Sequence, residues 1–97
     1  MRRFLLVMHD DTTEAEAAEA WGPYLADLTA SGRFEGGSSI GSVVASRRSG
    51  EPVVRESSAV GYLVVQADDV DDARSFLVDN PVYVSCGTVE ICELVGD

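Results

Sequence analysis

The sequence predicts an α+β fold: an antiparallel sheet with helices on one face and a second copy of the chain against the other. Two observations carry this prediction. Apolar strand-like runs alternate with helical segments in the order strand, long helix, strand with an extra hairpin, strand, helix, strand. The two strongest strands are also apolar on both faces, and helices can cover only one of them. A length of 97 residues fits a single domain over 1–97. Size scaling gives such a chain about 5,400 Å² of exposed surface and a thin core.

Arg3 to Met8 is apolar without a turn residue and is bounded by Asp10-Asp11, which predicts a first strand. Thr13-x-x-Glu16 is a capping box leading into an Ala- and Glu-rich segment that reads as helix to about Ser31, with Gly32 as the stop. Ala17, Trp21, Tyr24, Leu25 and Leu28 recur on one face of it. Gly22-Pro23 interrupts the pattern and predicts a kink, or a restart with Pro23 in a first turn. Ile40 to Ala45 is the expected second strand. Arg47 to Pro52 is a turn, and Val53-Val54-Arg55 returns from it as a short hairpin arm. Val60 to Ala67 is the strongest strand. Asp69 or Asp71 caps a second helix through Phe76-Leu77 to Asp79, which Asn80-Pro81 stops, and Thr88 to Val95 closes the chain as a last strand.

This order is that of the ferredoxin-like split βαβ fold. In the first strand Phe4, Leu6 and Met8 oppose Leu5 and Val7; in the third, Tyr62 and Val64 oppose Leu63 and Val65. The economical cover for the second apolar face is the same face of another copy, giving a homodimer with two sheets packed into a dimeric α+β barrel.

Seventeen acidic residues against seven basic ones give a net charge of -10, with no basic stripe to neutralise phosphates, so no nucleic-acid partner is expected. Every basic residue is Arg, which excludes Schiff-base chemistry and a phosphate-loop lysine. The apolar runs are too short for a membrane span, and the N-terminal one is too short for a signal peptide, so no membrane partner and a cytoplasmic location are expected. Cys86 and Cys92 are read as buried free thiols, and the chain has too few Cys and His for a four-ligand metal site. No metal and no cofactor is expected.

His9, the single histidine, follows the first strand beside Asp10 and Asp11, where a carboxylate can orient it as a base; the alternative is a solvated turn residue. Trp21 and Tyr24 share a helix face and either line an apolar pocket between helix and sheet or pack in the core. Arg55 binds an anionic group at the cleft mouth or pairs with Glu56, Glu90 or Glu93. Gly36-Gly37 with Gly41 reads as a turn, and Asp68 to Asp72 as helix capping.

Several short motifs together resemble the YCII-related family, especially its DGPF branch, over nearly the whole chain. They are the opening strand, Trp21-x-x-Tyr24-x-x-x-Leu28-x-x-Ser31-Gly32, the Gly36-Gly37 turn, Gly61-Tyr62 with Ala67-Asp68 ahead of Asp72-Ala73, and Gly87-Thr88-Val89-Glu90-Ile91. The resemblance implies a dimeric α+β barrel. It also implies a cleft where the YCII branch carries a His on the first helix and an Asp in an Asp-Pro-Tyr-like turn. Here Trp21 stands at the position most similar to that His, and the turn reads Asn80-Pro81-Val82-Tyr83, so both proton-exchanging groups are replaced. The DGPF motif is also replaced, by Glu51-Pro52-Val53-Val54-Arg55-Glu56.

The expected function is binding of a small, mostly apolar molecule in a barrel or helix-sheet cleft lined by His9, Trp21, Tyr24, Arg55, Asn80 and Tyr83, without a complete catalytic set. Two other readings are a cofactor-independent dimeric-barrel enzyme with His9 as base near Trp21, and a structural or partner-binding module.

Overall fold

The computed structural model describes residues 1–55 and 57–96. Four strands form one antiparallel sheet in the order β2-β5-β1-β6: β1 (Arg2–His9), β2 (Phe34–Ser39), β5 (Ala59–Ala67) and β6 (Val89–Leu94). Strands β3 (Val43–Ala45) and β4 (Val53–Arg55) pair only with each other. The helices are α1 (Trp21–Ala30), α2 (Val70–Arg74) and α3 (Pro81–Val84), with 3₁₀ turns at Ala18–Ala20 and Ser75–Leu77. The architecture is α+β.

β1 and β5 are the central strands because both are continuous apolar runs that supply both faces. Their register sets Phe4 opposite Val65 and Leu6 opposite Leu63, and these four side chains are buried under the helices. Met8 and Ala67 of the sheet, Tyr24 and Leu28 of α1, Ala73 of α2, Leu77 and Val82 complete the core. Complete burial of a side chain such as Leu6 stabilises the fold by about 1.5–3 kcal/mol. On the other face Leu5, Val7, Tyr62 and Val64 remain half-buried, and among the described residues no helix lies over them. The chain exposes 6492 Å², well above the size-scaled expectation, and has a radius of gyration of 14.8 Å where a compact chain of this length gives about 12.5 Å. The uncovered sheet face and the β3–β4 arm account for the difference: the extents are 45 × 38 × 19 Å, and the shortest is that of one sheet with one layer of helices.

The structure differs from the sequence reading at several places. Gly36-Gly37, expected as a turn, lies inside β2 and pairs with Val64 and Leu63 of β5. The second strand of the main sheet is Phe34–Ser39, earlier than the expected Ile40–Ala45; Val43–Ala45 belongs to the separate arm. The capping box at Thr13 and Glu16 starts no helix. Helix α1 begins at Trp21 without a side-chain cap, with Pro23 in its first turn, where a missing N–H costs nothing. Ala17 therefore lies outside the helix and is exposed. Asn80-Pro81 starts a helix as well as ending one: Asn80 Oδ1 accepts from the N–H groups of Val82 (3.0 Å) and Tyr83 (3.1 Å), and Pro81 takes the first helical position. Cys86 and Cys92 are free, as expected, but exposed, because Cys86 sits in a left-handed turn (φ 64°) before β6 and Cys92 points to the uncovered face. Other signals are borne out: Gly32 ends α1 at φ 73°, and Asp69 caps α2 by accepting from Asp72 N–H at 2.8 Å.

Candidate binding cleft

Between α1 and the β2 edge of the sheet the helical layer leaves an open cleft of about 610 Å³. Its walls are Trp21 and Leu25 from α1, Phe34 from β2, Met8, Leu63 and Val82, with Glu16 as the one carboxylate among the described residues that line it. Two glycines make the room. Gly37 lies opposite Leu63 and Gly61 opposite Ser39, so both stand on the helix-facing side of the sheet. A Cβ on Gly37 would meet the Tyr62 carbonyl oxygen at 2.3 Å, so the strands approach there as only glycine allows. A Cβ on Gly61 would meet the Met8 methyl at 3.1 Å and point into the cleft region.

Trp21 is held from two sides. Its indole Nε1–H donates to the Glu16 carboxylate, and its ring packs edge-on against Tyr24 with centroids 5.8 Å apart. Tyr24 lies behind Trp21 in the core, where its hydroxyl donates to the Phe76 carbonyl at 2.7 Å. Burial pushes the Tyr24 phenol above its ordinary pKa, an effect the nearby Asn80 amide partly offsets. Asn80 is fully buried; its Oδ1 is used by the helix cap, and its Nδ2 has no acceptor at hydrogen-bond geometry among the described residues.

His9 sits on the opposite, uncovered face. Its Nε2 meets the Glu90 carboxylate and its Nδ1 meets Ser58 Oγ at 2.7 Å. With Glu90 accepting, a neutral ring carries its proton on Nε2 and accepts from the Ser58 hydroxyl at Nδ1. Nearby, Thr88 donates to Asp11 through Oγ1 (2.6 Å) and N–H (2.7 Å), which lowers the Asp11 carboxyl below its usual range. The Cys86 thiol donates to Glu14 at 3.1 Å, and that carboxylate raises the thiol pKa. These bonds tie residues 11–14 to the start of β6.

Of the six residues expected to line one cleft, Trp21 lines it and Tyr24 supports Trp21 from the core. Asn80 caps α3, Tyr83 is exposed on that helix, and Arg55 ends the β3–β4 arm. His9 is separated from Trp21 by the sheet. Of Arg55's expected partners, Glu90 is bonded to His9 and Glu93 pairs with Arg2 at 3.7 Å; Glu56 lies outside the described residues. Leu25, Phe34, Val82 and the two glycines also line the cleft, and the sequence pattern does not single them out for it. Among the described residues no three His, Cys, Asp or Glu side chains converge on a metal position, and no helix is long and apolar enough to cross a membrane.

No family model, curated protein or solved structure matches this chain.

Proposed function

We propose that the protein binds a small, mostly apolar molecule in the cleft beside Trp21. The observation that carries this reading is the cleft itself: about 610 Å³ of space with apolar walls, one indole and one carboxylate, over a floor kept open by Gly37 and Gly61. Glu16 beside the indole favours a neutral or cationic ligand over an anion. Trp21 reports its own occupancy. Titration of Trp21 fluorescence with neutral aromatic and aliphatic metabolites is expected to give a saturable change that Gly61→Val abolishes by filling the cleft. No response from any member of such a panel overturns the reading.

The assembly we propose is a homodimer through the uncovered face, with Leu5, Val7, Tyr62 and Val64 of one copy against those of another. Support comes from the apolar character of that face and from the four-strand order β2-β5-β1-β6, which is the order of a ferredoxin-like split βαβ sheet. Membership of the YCII-related family rests on the sequence resemblance. A chain mass of one in light scattering at micromolar concentration overturns the dimer.

One observation favours a second reading. Glu90 and Ser58 engage both ring nitrogens of His9, as a positioned base requires. A cofactor-independent enzyme built on His9 would then work on the uncovered face. Turnover of small carbonyl or phenolic substrates between pH 5 and 8 that disappears in His9→Ala would establish it.

A further inference from the structure

The β3–β4 arm is built unlike the rest of the molecule. Its two short strands pair only with each other, and a two-stranded hairpin alone in water is marginal. Val44 and Val54 face each other across it at 56% and 77% exposure, so its best apolar pair lies in solvent. Its charge is opposite to that of the body. Over residues 43–55, Arg47, Arg48 and Arg55 stand against Glu51, a net of +2; the remaining four arginines against sixteen acids leave -12 elsewhere.

A matching surface lies on the body. Asp10, Asp11, Glu14, Glu16 and Glu19 are exposed within ten residues that contain no basic side chain. Among the described residues none of the five makes an ion pair: Asp11, Glu14 and Glu16 are held by Thr88, Cys86 and Trp21, all neutral donors. Among the described residues Arg47 and Arg48 make no ion pair either. Glu16 also lines the cleft, so whatever seats on this loop lies beside the cleft mouth.

From the exposed valine pair and these complementary unpaired charges we infer that the arm of one copy docks on the acidic 10–19 loop of a second copy. Arg47 and Arg48 meet the carboxylates, and the Val44–Val54 pair covers the side of the cleft. The cleft in the assembly thus borrows a wall from its neighbour. This rests on the two-copy assembly proposed above but uses a different surface from the sheet face.

The sequence has no lysine, which gives the test its specificity. Arg48→Lys keeps the charge and introduces one side-chain amine. The variant, prepared as an equal mixture of ¹⁴N and ¹⁵N chains, is treated with a carbodiimide, digested and analysed by mass spectrometry. The expected result is an amide between position 48 and a carboxylate of residues 10–19, in mixed-isotope pairs. Bonds within one chain only, or to carboxylates elsewhere such as Glu35 or Glu93, overturn the inference. A two-chain mass without these bonds overturns the arm contact and leaves the sheet-face dimer standing; a one-chain mass overturns both. Arg47→Glu with Arg48→Glu is expected to weaken the assembly roughly tenfold or more, and Glu14→Arg with Glu19→Arg on the same chain to restore it. Failure of that restoration, with both variants folded by circular dichroism, also overturns the inference.

Discussion

The two faces of the sheet carry similar side chains and have different fates. On β1, Phe4, Leu6 and Met8 are buried to 4% exposure or less, whereas Leu5 and Val7, on the same strand, are only half-buried. Strand pattern alone cannot produce this difference. It comes from the rest of the chain, whose described residues offer one longer helix and two short ones as cover, packed on the face of Phe4 and Leu6. The comparison shows that apolar alternation specifies which residues share a face, and the layer above decides which face is core.

The largest expected effect breaks that symmetry directly. Leu6→Ala removes a fully enclosed side chain from beneath the helices and is expected to cost about 2–5 kcal/mol in denaturant unfolding. Leu5→Ala, one residue away, is expected to cost under about 1.5 kcal/mol when measured at concentrations that keep the chain monomeric. Equal costs would mean that Leu5 is as enclosed as Leu6. A cost for Leu5→Ala that grows with protein concentration would locate the missing cover in a second copy.

Next in size are the glycines of the covered face, where the helical layer stops short. Gly37→Ala forces a Cβ against a backbone carbonyl at 2.3 Å, so the edge strand must move, and a loss of about 1–3 kcal/mol is expected. Gly61→Ala meets only a flexible methionine end and a carbonyl at 3.3 Å, and its gain in strand propensity offsets the crowding to within about 0.5 kcal/mol. Thermal unfolding of the two variants separates them. If both are silent, the cleft floor is not as tightly closed at Gly37 as its geometry requires.

What the sequence makes legible follows from the same contrast. β1 and β5 announce themselves because long apolar runs have few alternatives, and Gly32 and Asp69 mark helix ends by rules that act within a turn of chain. β2 does not, because Glu35-Gly36-Gly37-Ser38-Ser39 has almost no strand propensity; its pairing to β5 and a bulge between Phe34 and Gly36 impose the conformation. Trp21 is legible as a pocket residue by its helix face. The cleft that surrounds it is not, since Gly37 and Gly61 contribute by lacking side chains. His9, Ser58 and Glu90 stand 49 and 81 residues apart along the chain, and only the β1–β5 and β1–β6 registers bring them together.

Loss of the Asn80 cap is expected to be intermediate. Asn80→Ala removes the acceptor for two N–H groups at the start of α3 and is expected to cost about 0.5–2 kcal/mol. Asn80→Asp retains that acceptor and is expected to recover part of the loss at low pH, where the buried carboxyl can stay neutral. Chemical denaturation at pH 4 and pH 7 reads both; an Asn80→Asp variant equally stable at the two pH values would show that the carboxylate is solvated or paired.

The smallest effect sets the same chemistry on the two faces. Arg33 spans from Asp72 on α2 (2.6 Å) to the Phe76 ring (4.7 Å to its centroid), beside the core, and Asp72 also accepts from Asp68 N–H at 2.8 Å. Arg3 pairs with Glu35 at 3.0 Å at the margin of the uncovered face. In both pairs the arginine hydrogen bond holds the carboxyl below its usual range. A depressed folded-state pKa contributes stability that is present above the unfolded value, near 3.9 for Asp and 4.3 for Glu, and is lost as pH falls through the folded value. The advantage of wild type over Asp72→Asn is therefore expected at pH 6 and absent well below pH 4, and Glu35→Gln should behave alike with a smaller difference, because Asp72 also accepts from a backbone N–H and its arginine partner lies over an aromatic ring. Differential scanning calorimetry from pH 2.5 to 6 measures both. A larger loss for Glu35→Gln that vanishes on dilution would mean that the margin of the uncovered face is itself buried in the assembly, so that the two faces differ less in solution than they do in one chain.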